Sequence, residues 1–226
     1  MNYSDSSGVA LSFADSSVLR VDFYLDLICP WCWIGLRNLR TAWSDFAQQH
    51  PERVMATVWH ADTLLPQIPE QGIPYQTFYE KRLGGAQAVR ARRAQIRSVA
   101  EPLNLNMKFE EIETFPNTGL VCSLVNFAQT QLAPEAMFAF VDSIFSAYFE
   151  HGQNIGDAQV LQGLAQLVGM KWEPGTFDLQ DYRDGMGHAG GVPHYVFNQR
   201  WAESGAVPVA QLQQCMNQAV AQMSHD

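Results

Sequence analysis

Two cysteines separated by two residues, Cys29 and Cys32, lie between a strand-like segment and a helix-like segment. Residues 19–28 (LRVDFYLDLI) are rich in β-branched and aromatic side chains, which predicts a buried strand that ends at the cysteine pair. Apolar residues then recur at helical spacing over residues 31–48, and residues 54–61 (VMATVWHA) predict a second strand. The pair therefore lies in the first loop of a β-α-β unit, where active sites are often found.

Prolines and glycine at positions 66–74 interrupt this pattern and predict a domain boundary. Five segments with helical spacing follow, separated by Gly, Pro and Asn: residues 75–83, 86–100, 118–131, 134–150 and 157–168. A weaker helix is predicted over residues 177–186, then a β-hairpin from residues 194–198 and 201–204, and a final helix over residues 209–223. The sequence thus predicts an α/β fold, β-α-β at one end and β-β-α at the other, around a large all-helical insertion.

The predicted domains follow from these breaks. Residues 1–16 are predicted to be a flexible N-terminal tail, residues 17–65 and 177–226 form the α/β domain, and residues 66–176 form the helical insertion. The chain has 226 residues, 47% of them hydrophobic, which is enough to fill a core of this size.

The formal net charge of −9 repels phosphate backbones and anionic lipid headgroups, which argues against nucleic acid and membrane surfaces as partners. No apolar run approaches the ~20 residues that a membrane-spanning helix needs. Residues 1–16 lack the basic and then apolar segments that are typical of a secretory signal. We therefore expect a soluble cytoplasmic protein, in which a redox or metal-binding cysteine pair is more common than a structural disulfide.

The spacing of the pair suits redox chemistry. Two cysteines at the start of a helix can close a small disulfide when the first lies at the N-terminus and the second lies one turn inside. The free backbone N–H groups and the helix dipole favour a thiolate at Cys29, which predicts that Cys29 is the nucleophile and Cys32 resolves the mixed disulfide. Pro30 fits the first turn because its missing N–H has no partner there, and Trp31 adds an apolar face beside the sulfur.

A zinc site is the competing interpretation of the same pair. It would need two further Cys or His ligands at suitable positions. The sequence has no second CxxC and no HxxxH. The remaining cysteines, Cys122 and Cys215, lie singly in predicted apolar helices, where a core position is favoured. The redox interpretation is therefore preferred, with no bound metal or organic cofactor.

Several distant segments together resemble the DsbA-like thioredoxin superfamily, and in particular its cytoplasmic FrnE-like branch. Residues 26–35 (DLICPWCWIG) and 191–198 (GVPHYVFN) carry most of the resemblance. Residues 115–118 (FPNT) and 154–157 (NIGD) add to it, so that it extends over about residues 20 to 220. The resemblance implies a thioredoxin-like fold for the α/β domain.

The resemblance also implies that Pro193 forms a cis peptide bond and lies against a Cys29–Cys32 disulfide. Sequence alone does not imply this, because only ~5–6% of X-Pro bonds in folded proteins are cis. In the implied geometry the backbone of Val192 pairs with an extended substrate strand, while Pro193 has no N–H to compete. His194 departs from the family pattern, which more often has an aromatic residue, Thr or Leu at this position.

Two carboxylates in the first predicted strand are candidates for proton transfer. Asp26 lies three residues before Cys29 and could accept a proton from Cys32 as the resolving thiolate forms. Asp22 shares a strand face with Asp26 by the two-residue alternation of strands. The sequence therefore does not choose between the two.

Further polar residues allow two interpretations each. His188 and His194 could transfer protons, although for His194 a solvated position at the strand end is favoured.

A basic segment on the predicted insertion could attract an acidic substrate or the carboxylates of glutathione, although a solvated helix face is favoured. Its members are Lys81, Arg82, Arg90, Arg92, Arg93 and Arg97. Four other residues outline either a small-molecule pocket or a set of helix caps. They are Asn117, Thr118, Asn154 and Asp157.

The sequence predicts a thiol–disulfide oxidoreductase, with disulfide isomerisation as a variant of the same chemistry. Its expected partners are protein or small-molecule thiols and disulfides, with glutathione as a candidate co-substrate and no prediction of oligomeric state. One alternative is a glutathione-dependent isomerase or transferase resembling the kappa-class and hydroxychromene-carboxylate isomerase proteins, which use a serine in place of the nucleophilic cysteine. The other is a chaperone that holds extended peptides in a groove beside Trp31 and Pro193.

Overall fold

A four-stranded sheet forms the centre of the computed structural model, which describes residues 3–4, 10–11, 17–176 and 191–223. The described strands are β1 (Tyr3–Ser4), β2 (Ala10–Leu11), β3 (Val18–Leu25), β4 (Val54–Ala61), β5 (Ile73–Pro74), β6 (Thr114–Phe115), β7 (His194–Phe197) and β8 (Trp201–Ser204). The order in the central sheet is β4-β3-β7-β8. β3 runs parallel to β4 and antiparallel to β7, and β7 and β8 form the predicted hairpin. The α/β, thioredoxin-like class is confirmed.

Helices pack around this sheet, and their bounds follow the predicted ones with small shifts at the ends. They are α1 (Pro30–Gln49), α2 (Tyr75–Leu83), α3 (Ala86–Ala100), α4 (Gly119–Ala128), α5 (Pro134–Phe149), α6 (Ala158–Leu167) and α7 (Val209–Met223), with a 3-10 turn at Glu101–Leu103. α1, which begins within the cysteine motif, packs against α7 on one side and α5 on another. The helix predicted over residues 177–186 lies outside the described residues.

β3 lies at the centre of the sheet. Leu19, Val21 and Phe23 are completely buried. The Phe23 ring stacks on that of Tyr195 in β7, with 4.9 Å between the ring centroids. The face that carries Leu19, Val21 and Phe23 therefore lies in the core, whereas Arg20 and Tyr24 on the opposite face are only half-buried.

The first strand is shorter than predicted. It was expected over residues 19–28, but β3 ends at Leu25. The amide of Cys29 donates a hydrogen bond to the carbonyl of Asp26, at 3.0 Å, which closes a turn between strand and helix. This turn directs the chain into α1 and places Asp26 beneath the cysteine loop.

β4 is an edge strand, and side-chain amides of α4 occupy part of its free edge. Asn126 accepts a hydrogen bond from the Ala61 amide (3.2 Å) and donates one to the Ala61 carbonyl (3.0 Å). Gln129 makes the same pair of bonds to Trp59, at 3.1 and 2.9 Å. An exposed strand edge can pair with another chain, so these amides protect the sheet and fix α4 beside it.

Asp142 of α5 joins the predicted insertion to α1. Its carboxylate accepts two hydrogen bonds from the Arg37 guanidinium (2.6 and 2.7 Å) and one from the Trp33 indole (2.8 Å). Bidentate arginine–carboxylate pairs fix orientation as well as distance. A single cluster of buried apolar side chains also runs through the sheet and the helices between β4 and β7. These helices are therefore held against the helix that carries the cysteines.

Two small ladders lie outside the central sheet. β5 and β6 pair antiparallel within the insertion, because the loops before α2 and α4 pair through their backbones. The prediction that this segment is all-helical is therefore corrected in this detail. β1 and β2 pair antiparallel within residues 1–16, which were predicted to be a tail. Across the described part of the chain, no helix combines the length and the apolar character needed to cross a bilayer.

Candidate active site

Cys29 is the N-cap residue of α1. Its backbone is extended (φ −91°, ψ 108°), and its carbonyl accepts hydrogen bonds from the amides of Cys32 (3.0 Å) and Trp33 (3.4 Å). Pro30 is the first helical residue, where a missing N–H leaves no hydrogen bond unmade. Cys29 is partly exposed, whereas Cys32 is completely buried. The predicted placement of the pair at a strand-to-helix junction is confirmed.

The two cysteines are free thiols, and the Cys29 side chain lies close enough to Cys32 to act on its pKa. Burial, assisted by the neighbouring Cys29 side chain, holds the pKa of Cys32 well above its ordinary value. Cys32 is therefore a thiol at neutral pH. A reaction through its sulfur requires a base that removes the proton.

Asp26 is a completely buried carboxylate whose charge acts on Cys32. It accepts hydrogen bonds from the amide of Leu64 (2.8 Å) and, at a longer 3.4 Å, from that of Ile28. The Thr118 hydroxyl, which donates a hydrogen bond to the Thr63 hydroxyl (2.8 Å), also acts on Asp26 and favours its ionised form. Burial raises the pKa of Asp26 to about 6, and the hydrogen bonds limit that rise because they stabilise the ionised form. At neutral pH Asp26 is mostly ionised and able to accept a proton.

Asp22, the other carboxylate of this segment, has different partners. It accepts two hydrogen bonds from the Arg20 guanidinium (2.7 and 2.6 Å) and lies 2.8 Å from Nε2 of His60. Burial opposes ionisation, but the hydrogen bonds with His60 and Arg20 outweigh it and lower the pKa of Asp22. Of the two carboxylates, Asp26 is the one whose charge acts on the buried Cys32, whereas Asp22 is paired with Arg20 and His60.

The loop before β7 lies against Cys29, opposite the first turn of α1. The Val192–Pro193 peptide bond is cis, and the Val192 carbonyl oxygen lies 3.9 Å from the Cys29 sulfur. Pro193 is buried, and its carbonyl accepts a hydrogen bond from the Gly205 amide at 2.7 Å. The β7 ladder begins at His194, so Val192 lies outside it. Segments from opposite ends of the chain thus meet at Cys29.

Gly35, in the second turn of α1, allows this loop to approach the helix closely. A Cβ atom at Gly35 would collide with the Tyr195 hydroxyl and would lie 3.2 Å from Cγ of Pro193. The Tyr195 side chain is completely buried, and its hydroxyl has no hydrogen-bond partner among the described residues. Close packing therefore accounts for the glycine that ends the first family-like segment.

His194 makes its contacts within the sheet. Its Nδ1 lies 2.8 Å from the Ser204 hydroxyl on β8, and its ring lies 5.6 Å from that of Tyr24. These contacts suit a strand residue with local partners. His188, the other histidine considered for proton transfer, lies outside the described residues.

Trp31, in the first turn of α1, is half-buried and faces α3. The guanidinium of Arg92 lies 5.2 Å from its ring centroid, within the range of cation–π contacts. Arg93 is buried near the rings of Tyr75 (5.5 Å) and Phe109 (5.9 Å), so the interpretation as a solvated helix face is wrong for Arg93. Part of the basic segment therefore faces the cysteine loop.

The four residues considered for a small-molecule pocket mostly make local hydrogen bonds. Asp157 caps α6 by accepting a bond of 2.7 Å from the amide two residues on. Asn154 and Asn117 each accept a similar bond, at 3.0 and 2.8 Å. Thr118 differs because its hydroxyl contacts Asp26. Helix and turn capping is thus the observed role of three of the four.

Cys122 on α4 and Cys215 on α7 are buried, as predicted for core cysteines. Burial raises the pKa of Cys122 well above its ordinary value and that of Cys215 to about 11, so both are thiols at neutral pH. Within the ranges that the structure describes, no three His, Cys, Asp or Glu side chains are grouped so that they could hold a metal ion.

Two contributors to the site have no role in the sequence prediction, and a third, Thr118, was considered there only for a small-molecule pocket or a helix cap. The Leu64 amide acts through the backbone, which any residue could supply, so no sequence signal marks it. The Thr118 hydroxyl beside the buried carboxylate and the Tyr195 hydroxyl above α1 both belong to family-like segments. The sequence signal that could have identified Thr118 and Tyr195 is that they lie in these family-like segments.

The chain matches a family model described as the DSBA-like thioredoxin domain over residues 20–180. A probable DsbA oxidoreductase from Streptomyces coelicolor is 21% identical, with a TM-score of 0.73 covering 90% of this chain and 91% of that one. A 2-hydroxychromene-2-carboxylate isomerase is 16% identical, with a TM-score of 0.55 covering 91% and 98%. The cytosolic disulfide reductase DsbM from Pseudomonas aeruginosa, solved with GSH, is 14% identical, with a TM-score of 0.53 covering 91% and 98%. All three share their fold with this chain.

Proposed function

Because the chain belongs to the DSBA-like thioredoxin domain family, we propose that it is a thiol–disulfide oxidoreductase acting through Cys29 and Cys32. The observation that carries the proposal is a partly exposed cysteine at the N-terminus of α1 close to a completely buried cysteine one turn later. The helix N-terminus favours negative charge on the first sulfur. The buried sulfur is close enough to displace a group bound there.

The proposed reaction consists of two thiol exchanges. The Cys29 thiolate attacks one sulfur of a substrate disulfide, a mixed disulfide forms, and the other substrate sulfur leaves as a thiolate. The Cys32 thiolate then attacks the Cys29 sulfur, which releases the second substrate thiolate and leaves a Cys29–Cys32 disulfide. The substrate gains two electrons and the protein loses two, which a thiol donor restores. The same steps in reverse oxidise a dithiol, and return of the mixed disulfide to another substrate thiol gives isomerisation.

Asp26 is the proposed base of the second exchange. Cys32 must lose its proton before it attacks, and its burial disfavours the thiolate. The neighbouring carboxylate is mostly ionised at neutral pH because burial raises its pKa only to about 6. The proton therefore moves from the Cys32 thiol to Asp26 as the new sulfur–sulfur bond forms.

The substrate is proposed to lie between two walls of the site. Val192 and Pro193 guide its backbone past Cys29, because the Val192 carbonyl faces the sulfur and Pro193 has no N–H to compete. Pro30 and Trp31 form the apolar wall on the helix side. His194, at the start of β7, completes the loop wall.

The proposal needs no metal and no organic cofactor. Its partners are protein or small-molecule thiols and disulfides, not nucleic acid or membrane, since the net charge is −9. Glutathione is the candidate electron donor, and GSH accompanies the DsbM structure. A FrnE-like role in the cytoplasm is part of the proposal and agrees with the description of DsbM as cytosolic.

A double variant, Cys29→Ser with Cys32→Ser, tests the proposed function. We expect the wild-type protein to accelerate the reduction of insulin disulfides by dithiothreitol, and the double variant to give only the uncatalysed rate. A Cys215→Ala variant, which changes a buried thiol on α7, serves as the matched control and should retain activity.

Full activity of the double variant would contradict the proposed function. Glutathione-dependent isomerisation that survives both changes would favour the isomerase alternative, whose fold this chain shares. Loss of disulfide reduction together with retained suppression of aggregation would add the chaperone role to the redox one.

A further inference from the structure

A pocket of about 170 Å³ opens beside the cysteine loop, between the first turn of α1 and the helices α2 and α3. Seven of the side chains that line it are aromatic or basic: Trp31, Tyr75, Tyr79, Arg82, Arg92, Arg93 and Phe109. Its volume is below the ~300–1,000 Å³ of pockets for drug-sized ligands, so it suits a group of amino-acid size. Pro30, the neighbour of Cys29, also lines it, which places its mouth at the nucleophile.

The three arginines of the pocket differ in how their charge is balanced. Arg93 is buried, donates to the Gln76 amide oxygen (2.7 Å) and lies 3.7 Å from a Glu110 oxygen. Arg82 and Arg92 are exposed, and within the described ranges neither has a carboxylate partner. Two uncompensated positive charges therefore flank the pocket of a chain that is acidic overall.

The side chains around the mouth hold these charges in place. Arg92 is oriented by the Trp31 ring at 5.2 Å and by a 2.7 Å hydrogen bond to Gln95, and Arg82 lies 5.8 Å from the Phe78 ring centroid. A guanidinium presents paired donors that match both oxygens of a carboxylate. Burial raises the pKa of Tyr79 to about 12, so its hydroxyl keeps the proton that it can donate.

We propose that this pocket binds the carboxylate end of a small disulfide substrate, with Arg92 and Arg82 as the anion-binding residues. The inference rests on the proposed function and specifies its substrate class. An anchored carboxylate beside Trp31 places the disulfide of the same molecule at the Cys29 sulfur. A positively charged or neutral disulfide gains no such anchor.

The electron balance is that of the proposed exchange. Cys29 attacks the sulfur of the anchored half, the bond between the two substrate sulfurs breaks, and the free half leaves as a thiolate. Cys32 then displaces the anchored half as a second thiolate. Two electrons pass to the substrate, and a dithiol reductant restores them to the protein.

Charge reversal at Arg92 tests the inference with three small disulfides. They are 3,3′-dithiodipropionate, which carries two carboxylates, 2-hydroxyethyl disulfide, which is neutral, and cystamine, which is cationic. The readout is kcat/KM for each with dithiothreitol as reductant. We expect Arg92→Glu to lower the ratio of dicarboxylate to neutral kcat/KM by about tenfold, since it removes a charge-assisted hydrogen bond and adds repulsion. The ratio of cationic to neutral kcat/KM should rise.

Arg90→Glu is the matched control, because Arg90 is exposed on the same helix but does not line the pocket. The same net-charge change should leave the dicarboxylate-to-neutral ratio within about twofold of the wild-type value, because long-range charge effects are screened. An equal change of the ratio in both variants, or an unchanged ratio in Arg92→Glu, would overturn the inference while leaving the proposed function intact. Absence of Cys29-dependent turnover of all three disulfides would overturn the inference alone if the wild-type protein still reduces insulin, and would overturn the proposed function as well if it does not.

Discussion

A Cys32→Ser variant is expected to accumulate a stable mixed disulfide on Cys29 when it meets a disulfide substrate. In the wild-type protein the buried Cys32 lies beside Cys29, and in the proposed reaction its sulfur displaces the bound substrate half. A serine hydroxyl keeps nearly the same volume but cannot form a disulfide. Exchange therefore stops after its first step, and we expect close to one adduct per protein molecule by intact-mass spectrometry.

The reverse variant provides the control for trapping. Cys29→Ser leaves Cys32 as the remaining thiol of the motif, and Cys32 is completely buried with a raised pKa. We expect no adduct on this variant under the same conditions. Adducts on Cys29→Ser, or none on Cys32→Ser, would show that Cys29 is not the nucleophile. The proposed two-step reaction would then lose its basis.

Asp26→Asn is expected to slow the resolving step on the order of 10²-fold at pH 7, the lower end of the range for general base catalysis. The wild-type rate should rise as pH increases through about 6, because only ionised Asp26 can accept the Cys32 proton. The variant should lack this rise. Stopped-flow measurement of mixed-disulfide resolution over roughly pH 4.5 to 8, a range that spans this pKa, checks both expectations.

The same substitution should change the pH dependence of stability. A carboxyl whose folded pKa is raised from 3.8 to about 6 costs almost nothing at about pH 3 and below, where it is largely protonated in both states. As pH rises to about 6 the unfolded form ionises first, so the folded protein loses about 3 kcal/mol, and the loss stays constant above that. Asn cannot ionise but offers one acceptor oxygen to two amides, which costs about 1 kcal/mol.

Denaturant unfolding should therefore find Asp26→Asn about 2 kcal/mol more stable than wild type at pH 7 and about 1 kcal/mol less stable at about pH 3. Asp22→Asn is the control of opposite sign, because ion pairing lowers the pKa of Asp22 and its contribution is lost as pH falls. It should destabilise the protein more at pH 7 than at pH 3. A pH-independent effect of Asp26→Asn would show that the pKa of this carboxyl is the same in the folded and the unfolded protein.

The helical and strand segments were largely predictable because their signals are local. Alternation, helical spacing and Gly or Pro breaks gave β4, α2, α3 and α7 with the bounds that the structure has. The end of β3 was not predictable in this way, because apolar residues continue to Ile28 while a turn begins at Asp26. A short turn that carries buried apolar side chains looks like strand in the sequence.

The position of the cysteine motif between a strand and a helix was predictable, but the environment of Asp26, the carboxylate proposed as its base, was not. Asp22 and Asp26 share the alternation of one strand, and their difference comes from elements far along the chain. His60 on β4 pairs with the first, whereas the Leu64 amide and the Thr118 hydroxyl surround the second. Only the packing of the sheet against its connecting loops separates a paired carboxylate from one that is buried beside a thiol.

For the basic segment, too, the local sequence does not predict which side chains face the site. Its charges and helical spacing suited a solvated face, and Arg90 is exposed as that interpretation requires. Arg92 and Arg93 lie within one turn of it but contact Trp31, Tyr75 and Phe109. The packing of α3 against α1 decides which arginines face the site, and that packing has no local sequence signal.

Redox titration of the Cys29–Cys32 pair in glutathione buffers tests the central claim most directly. The protein is equilibrated at defined potentials, and free thiols at the two positions are counted by alkylation and mass spectrometry. We expect a reversible two-electron titration with a midpoint between about −270 and −120 mV, the range from thioredoxin to DsbA. A midpoint below about −300 mV, typical of structural disulfides, or a pair that never forms a disulfide, would contradict the claim that these cysteines exchange electrons with substrates.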